Sequence, residues 1–299
     1  MKKIFITIFI LIFPFVLNAK VLKVICTTVE IADIVKNIGK EKVEAIWLMD
    51  GRQDPHSVEP RPSMVIKLRN ADAVAVIGMD LDMWMDGVIR ASKNPKIQKG
   101  SQGYIDLSVN IKKLEVPQGK IDGKMGDLHI YGNPHYHLDP SNGIVMADTI
   151  KEKLISLSPD DGTFFQANCT LYIRNLETKI VQWEKRMLAF KDISILPTHN
   201  CWLYFITAFG LKIPNYLETR PGIPPSPNDI VILTDKMKKE NTKLIIAEPF
   251  YPSGAIEKIS EMTGAKIVRI PTSALSDERP NTYIDLFEYN ISKLEEAVK

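Results

Sequence analysis

Three of the five histidines in this 299-residue chain fall in one stretch, "GDLHIYGNPHYHLDP", from Gly126 to Pro140. They are His129, His135 and His137. The other two are His56, in "QDPHSVEPRPS", and His199, at the end of "DISILPTH". Imidazole is the commonest metal ligand, and three imidazoles with an open fourth position are a known way to hold zinc. All five histidines sit at loop-like ends, none on the helical segments. His56 and His135 each follow a proline, in Asp-Pro-His and Asn-Pro-His, which restricts the backbone that aims the ring. Hydrogen-bonded histidines at strand ends would give the same spacing, so convergence has to come from topology.

Other chemistries are poorly served. Cys26, Cys169 and Cys201 form no CxxC pair, which excludes a cysteine-type zinc site on spacing. Two of them paired with one left over, or three buried thiols, both remain open. No HExxH and no GxSxG occurs. The formal net charge is +2 with no basic block or stripe, so nucleic acid is not an expected partner.

Elements must position the histidines. The chain begins "MKKIFITIFILIFPFVLNAK": two lysines, an apolar run and a small-residue cleavage site, which reads as a secretory signal over 1–19. No cysteine follows the run directly, so the expectation is a cleaved, unanchored protein in the periplasm. From Val21 onward, strand-like and helix-like segments alternate, which points to parallel sheets flanked by helices. "KVEAIWLM" is a strand that ends before His56, and "DISILPTH" a strand that ends at His199. Between them, from Ser158 to Phe190, a segment with Leu171, Leu176, Ile180, Trp183 and Met187 at helical spacing predicts one helix too long for a small domain. The fold class expected is α/β: two lobes, each a mostly parallel sheet flanked by helices, joined by one long linking helix. The lobes are assigned to 20–157 and 191–299, and the linking helix to 158–190. Ligands bind outside the carboxyl ends of parallel strands, so His56, one histidine of the central cluster and His199 can meet in a cleft between the lobes.

Here the motifs carry a resemblance. "DPHSVEPRPS" resembles "DPHxxEPxPS" of the periplasmic zinc/manganese-binding proteins of ABC importers, solute-binding protein family 9. "GNPHYHLDPSN" is similar to that family's "NPHxWLDPxN", and "LPTHNCWLYFITAFGL" to its "xxHxAFxYFxxxYGL". "PGIPPSPNDI", "AEPF" and "NTYIDLFEYN" fall in family order, so the resemblance spans nearly the whole chain after the leader.

The resemblance implies one transition-metal ion between the lobes, held by His56, His135 and His199 and handed to the membrane permease of an ABC transporter. No catalytic role, no further small-molecule substrate and a monomer are expected. His137 stands where the family usually has tryptophan; in an extended segment it would share a face with His135. The family's fourth ligand is commonly an aspartate in a "DSY"-like motif, but here the triplet is Asn281-Thr282-Tyr283, with Asp277 and Glu278 out of register. Water, Asn281 or His129 are the candidates for that position. Glu59 and Glu248 match positions near the site and are expected to orient imidazoles. Three imidazoles favour Zn2+, with Mn2+ the alternative. Competing functions are a three-histidine zinc hydrolase, and an adhesin or metallochaperone on the same fold.

Overall fold

The structure is a computed structural model that describes residues 21–118, 129–218 and 222–299. The expected signal segment lies outside the described residues, as does most of the loop between Glu115 and Leu128.

β1 (Leu22–Cys26) is an apolar run buried on both faces, as a strand under helices must be. α1 (Val29–Gly39), β2 (Val43–Trp47), α2 (Pro62–Arg69), β3 (Ala73–Val76), α3 (Trp84–Ser92) and β4 (Tyr104–Asp106) follow. The strands are all parallel in the order β2-β1-β3-β4. β1 therefore has β2 on one side and β3 on the other, so the chain leaves it in opposite directions and opens a crevice at the carboxyl ends. α2 begins at Pro62 with Arg61 as its N-cap. α3 and β4 carry no clear sequence signal.

α4 (Pro140–Leu157) starts where the Asp139 side chain accepts from the Ser141 N–H, with Pro140 in the first turn. α5 (Gly162–Met187) has 26 residues and is about 39 Å long at ~1.5 Å per residue. Short 3₁₀ turns, Pro159–Asp161 and Leu188–Phe190, extend it at both ends to the predicted span. Its buried stripe is Phe165, Cys169, Tyr172, Leu176, Ile180, Trp183 and Met187, spaced three and four apart. Leu171, expected on that stripe, faces out and Tyr172 takes its place.

β5 (Ile195–Pro197), α6 (Leu203–Phe209), α7 (Pro227–Lys239), β6 (Leu244–Ala247), α8 (Ser253–Thr263) and β7 (Lys266–Arg269) build the second parallel sheet, in the order β5-β6-β7. α7 opens on a capping box between Ser226 and Asp229. "KIPNYLE" forms no regular strand. It runs beside β5, with Leu217 N–H donating to Pro197 and Glu218 N–H to Thr198, while Pro214 lacks the donor a strand needs. α9 (Tyr283–Val298) returns along α5: Phe287 stacks on Trp183, and Arg186 pairs with Glu288 and Glu295.

The two halves also meet in a seam. Gly51 N–H donates to Ala274 at 3.0 Å. The fully buried Glu30 of α1 accepts from Ser273 Oγ and Ala274 N–H. Arg52 pairs with Asp277 and Glu278, the carboxylates that fell out of register in the sequence. A Cβ on Gly51 would lie 2.2 Å from the Ser273 carbonyl oxygen. Gly51→Ala should therefore destabilise the protein by about 1–3 kcal/mol, the usual cost of overpacking. Gly87→Ala in α3 meets nothing within 4 Å and should stabilise slightly. Urea unfolding midpoints of the two variants test this; equal shifts would show that the close approach carries no energy.

Candidate metal centre

Each of three loops fixes one histidine at the mouth of the crevice. After β2, Asp54 accepts from the His56 N–H at 2.9 Å and from Ser57 Oγ, a turn that holds His56 just past Pro55. Asn133 does the same for His135, accepting its N–H at 3.1 Å, and the chain then tightens into a 3₁₀ turn, Tyr136–Leu138. Thr198 extends the β5 pairing through its N–H to Ile246, and His199 follows it out of the sheet.

The three side chains converge. Ligand-type nitrogens of His56, His135 and His199 all lie within 4.8 Å of one another. His56 Nε2 and His135 Nε2 are 3.3 Å apart. His199 Nδ1 lies 2.7 Å from Glu218 Oε2, which leaves Nε2 for the cluster. The rings line a cavity of about 460 Å³ together with Asp54, Glu218, Glu248 and Thr272.

Electrostatics separate the rings. His135 is pushed well below the ordinary imidazole value, first by burial and then by its neighbouring histidines. His129 falls to about 4, from burial and then from His56 and His199. His137 falls to about 4 from burial, against the opposing pull of the Thr272 carbonyl. His199 moves the other way. Burial works to lower it, but the hydrogen bond and charge of Glu218, with Glu248 and Asp54 behind, carry it upward.

Other expected residues stand apart. His129 is not in the cluster; it lays its ring face on His56, with centroids 5.0 Å apart. His137 is buried in a 3₁₀ turn rather than on a strand, with its ring 6.1 Å from that of His135. Its Nε2 donates to the Thr272 carbonyl at 3.0 Å. Asn281 is exposed and lines a different cavity, beside Asp33, Lys36 and Trp47. Glu59 is exposed. Glu248 is buried but accepts from Thr198 Oγ1, Trp202 Nε1 and Cys201 Sγ rather than from an imidazole. The three cysteines are buried free thiols. The carboxylate that does hold an imidazole is Glu218, which no sequence motif singled out. Its signal is non-local: the backbone pairing of 217–218 with 197–198 sets it beside His199.

A family model described as "Zinc-uptake complex component A periplasmic" (ZnuA) matches residues 24–297. The chain belongs to the ZnuA family. It is 26% identical over 284 residues to the metal ABC transporter substrate-binding lipoprotein SloC of Streptococcus mutans, covering 92% of this chain and 89% of that one. The manganese ABC transporter substrate-binding lipoprotein PsaA of Streptococcus pneumoniae is 25% identical, with 93% and 89% covered. Among solved structures, a crystal structure of ZnuA superposes with a TM-score of 0.78 at 22% identity, over 94% of this chain and all of that one. A manganese-bound periplasmic metal-binding protein of Candidatus Liberibacter asiaticus gives 0.76 at 21%, over 93% of this chain and 100% of that one. These likenesses carry the expected family and the two-lobed fold.

The relatives also correct the localisation expected from the leader. An unanchored periplasmic protein without a lipid-anchor cysteine was the expectation, yet the relatives are named lipoproteins. An apolar run of this kind precedes both fates, so it does not separate them.

The Glu218 contact has a direct test. In a histidine NMR titration of this ZnuA-family protein, His199 should titrate above the ordinary value of ~6.5, while His129 and His137 titrate far below it. Glu218→Gln removes the charge but not the burial, so the His199 midpoint should drop. An unmoved midpoint would show that Glu218 does not set it.

Proposed function

We propose that this chain captures one divalent transition-metal ion between its lobes, through Nε2 of His56, His135 and His199, and delivers it to the permease of an ABC transporter. It does so as a monomer, with lobes at 20–157 and 191–299 joined through the helix in 158–190. The observation that carries the reading is the convergence of three imidazoles, from three distant loops, within 4.8 Å. The buried His135, whose proton affinity is lowered, has its Nε2 turned to that cluster. The names of the relatives, substrate-binding components of metal, manganese and iron ABC transporters, support the transport role.

We take the ion to be zinc rather than manganese. Imidazole suits zinc, whereas manganese favours carboxylate and water oxygens. The carboxylates that line the cavity are engaged elsewhere: Glu218 with His199 and the Gly222 N–H, Glu248 with Trp202 and Thr198, Asp54 with the His56 loop. Asn281 lies on another surface and His129 stacks on a ligand ring, so the fourth position falls to water from the cavity. The same engagement argues for a binding protein over a hydrolase, since a hydrolytic site needs a base free to take a proton.

Purified protein should bind one zinc ion per chain and prefer it to manganese in a competition titration. His135→Ala should lose more than the ~10–100-fold that removal of a supporting partner costs. Unchanged affinity in that variant sinks the assignment. Metal must also displace the Nε2 proton of a His199 imidazolium that the Glu218 charge stabilises. Affinity should therefore fall as pH drops through the raised His199 value, and binding at that pH should release a proton, which calorimetry in two buffers measures.

A further inference from the structure

Two buried nitrogens beside the centre have no hydrogen-bond partner among the described residues: Nδ1 of His135 and Nδ1 of His137. Both residues are almost fully buried, and buried polar atoms are almost always satisfied. Their chemistry is complementary. A carbonyl oxygen only accepts, so the 3.0 Å contact to Thr272 places the His137 proton on Nε2 and leaves Nδ1 a bare acceptor. His135 turns Nε2 toward His56, 3.3 Å away, so a ligating lone pair there requires its proton on Nδ1, a donor. One orphan is a donor and the other an acceptor, and the rings are neighbours with centroids 6.1 Å apart. The two nitrogens make no direct hydrogen bond, and a single bridging water would satisfy both.

We infer that His137 is a positioning residue for the metal centre. It receives the His135 Nδ1–H through one water and passes the constraint to the Thr272 carbonyl, fixing His135 in the tautomer whose Nε2 faces the ion. The inference rests on the reading of His135 as a ligand. Second partners of metal-bound imidazoles act in this way elsewhere, by fixing tautomer and ring direction. The chain of contacts runs from Thr272, just after β7, to a ligand that precedes α4. It therefore makes the His135 geometry depend on both halves of the molecule. His129 has no such role, because its contact with the centre is a ring face rather than a nitrogen.

Two substitutions separate this role from simple packing. His137→Phe keeps a planar ring and removes both nitrogens. His137→Gln supplies an N–H for Thr272 and an oxygen acceptor toward His135. Zinc affinity should fall about 10–100-fold in His137→Phe and be largely restored in His137→Gln, with both variants keeping the unfolding midpoint of the native chain or losing it equally. On metal-free protein, ¹⁵N histidine spectra should show His135 as the Nδ1–H tautomer and His137 as the Nε2–H tautomer; His137→Phe should convert His135 to a mixture. This measurement needs no bound zinc, so it stands even if the native chain proves not to bind zinc. Failure of the native chain to bind zinc instead overturns the proposed function. A His135 tautomer unchanged by His137→Phe, or Phe and Gln variants equally impaired, overturns the positioning role.

Discussion

Three imidazoles can face one another within 4.8 Å only while they carry little positive charge between them. Two imidazolium ions 4 Å apart would repel by roughly 4 kcal/mol at a surface-like dielectric. The rest of the centre follows from this constraint. Burial lowers His135, His137 and His129, so those rings stay neutral without help. His199 is held upward, and it has a carboxylate behind it. One proton shared across the cluster is compatible with the spacing, and Glu218 decides where that proton resides. The carboxylate thus compensates positive charge on the His199 side.

Neutral rings remain close only if their loops are pinned, because nothing attracts one lone pair to another. The structure pins them from outside. Asx-type turns at Asp54 and Asn133 fix the backbones of His56 and His135. The seam of Gly51, Glu30 and Arg52 with residues 273–278 holds the two halves at fixed separation. α5 crosses behind both, tied at one end to α9 by Arg186 and by the stacked rings of Trp183 and Phe287. A continuous helix has no loop residues to absorb a large φ/ψ change. Its stiffness and the seam therefore both favour a centre built before the ion arrives, with entry governed by loops rather than by closure of the lobes.

The parts of this design written in local pattern were readable. Strand–helix alternation and the 3–4 spacing of α5 are short-range signals, and both appear over most of the chain where they were expected. The convergence of the three histidines was readable from motif order. What failed was non-local or depended on backbone geometry. Leu171 and Tyr172 are adjacent apolar residues, and only packing against neighbouring helices selects the second. His137 was placed on the His135 face by assuming extended chain, whereas Asp139 and Pro140 start a helix there and tighten the approach into a 3₁₀ turn. Asn281 was placed by motif register, but the segment after β7 crosses the seam, and the residue that reaches the cavity is Thr272. Glu218 lies 19 residues beyond His199, and only the pairing of 217–218 beside β5 reveals it.

Substituting Glu218 for a directly ligating carboxylate changes what the centre can hold. A carboxylate in the coordination sphere offers a hard, anionic oxygen, which suits manganese; a carboxylate behind an imidazole offers charge without that oxygen. Bonded to His199 Nδ1, Glu218 makes Nε2 a stronger donor and partly offsets the ion's charge from one ring away. On the proposed reading, the metal meets nitrogen from three sides and leaves its remaining position for solvent. The ion's charge is balanced through a hydrogen bond that also competes for a proton, so retention and release are coupled to pH through the same pair. A centre of this kind trades tight charge neutralisation for a ligand set that an incoming proton can dismantle at one defined ring, His199.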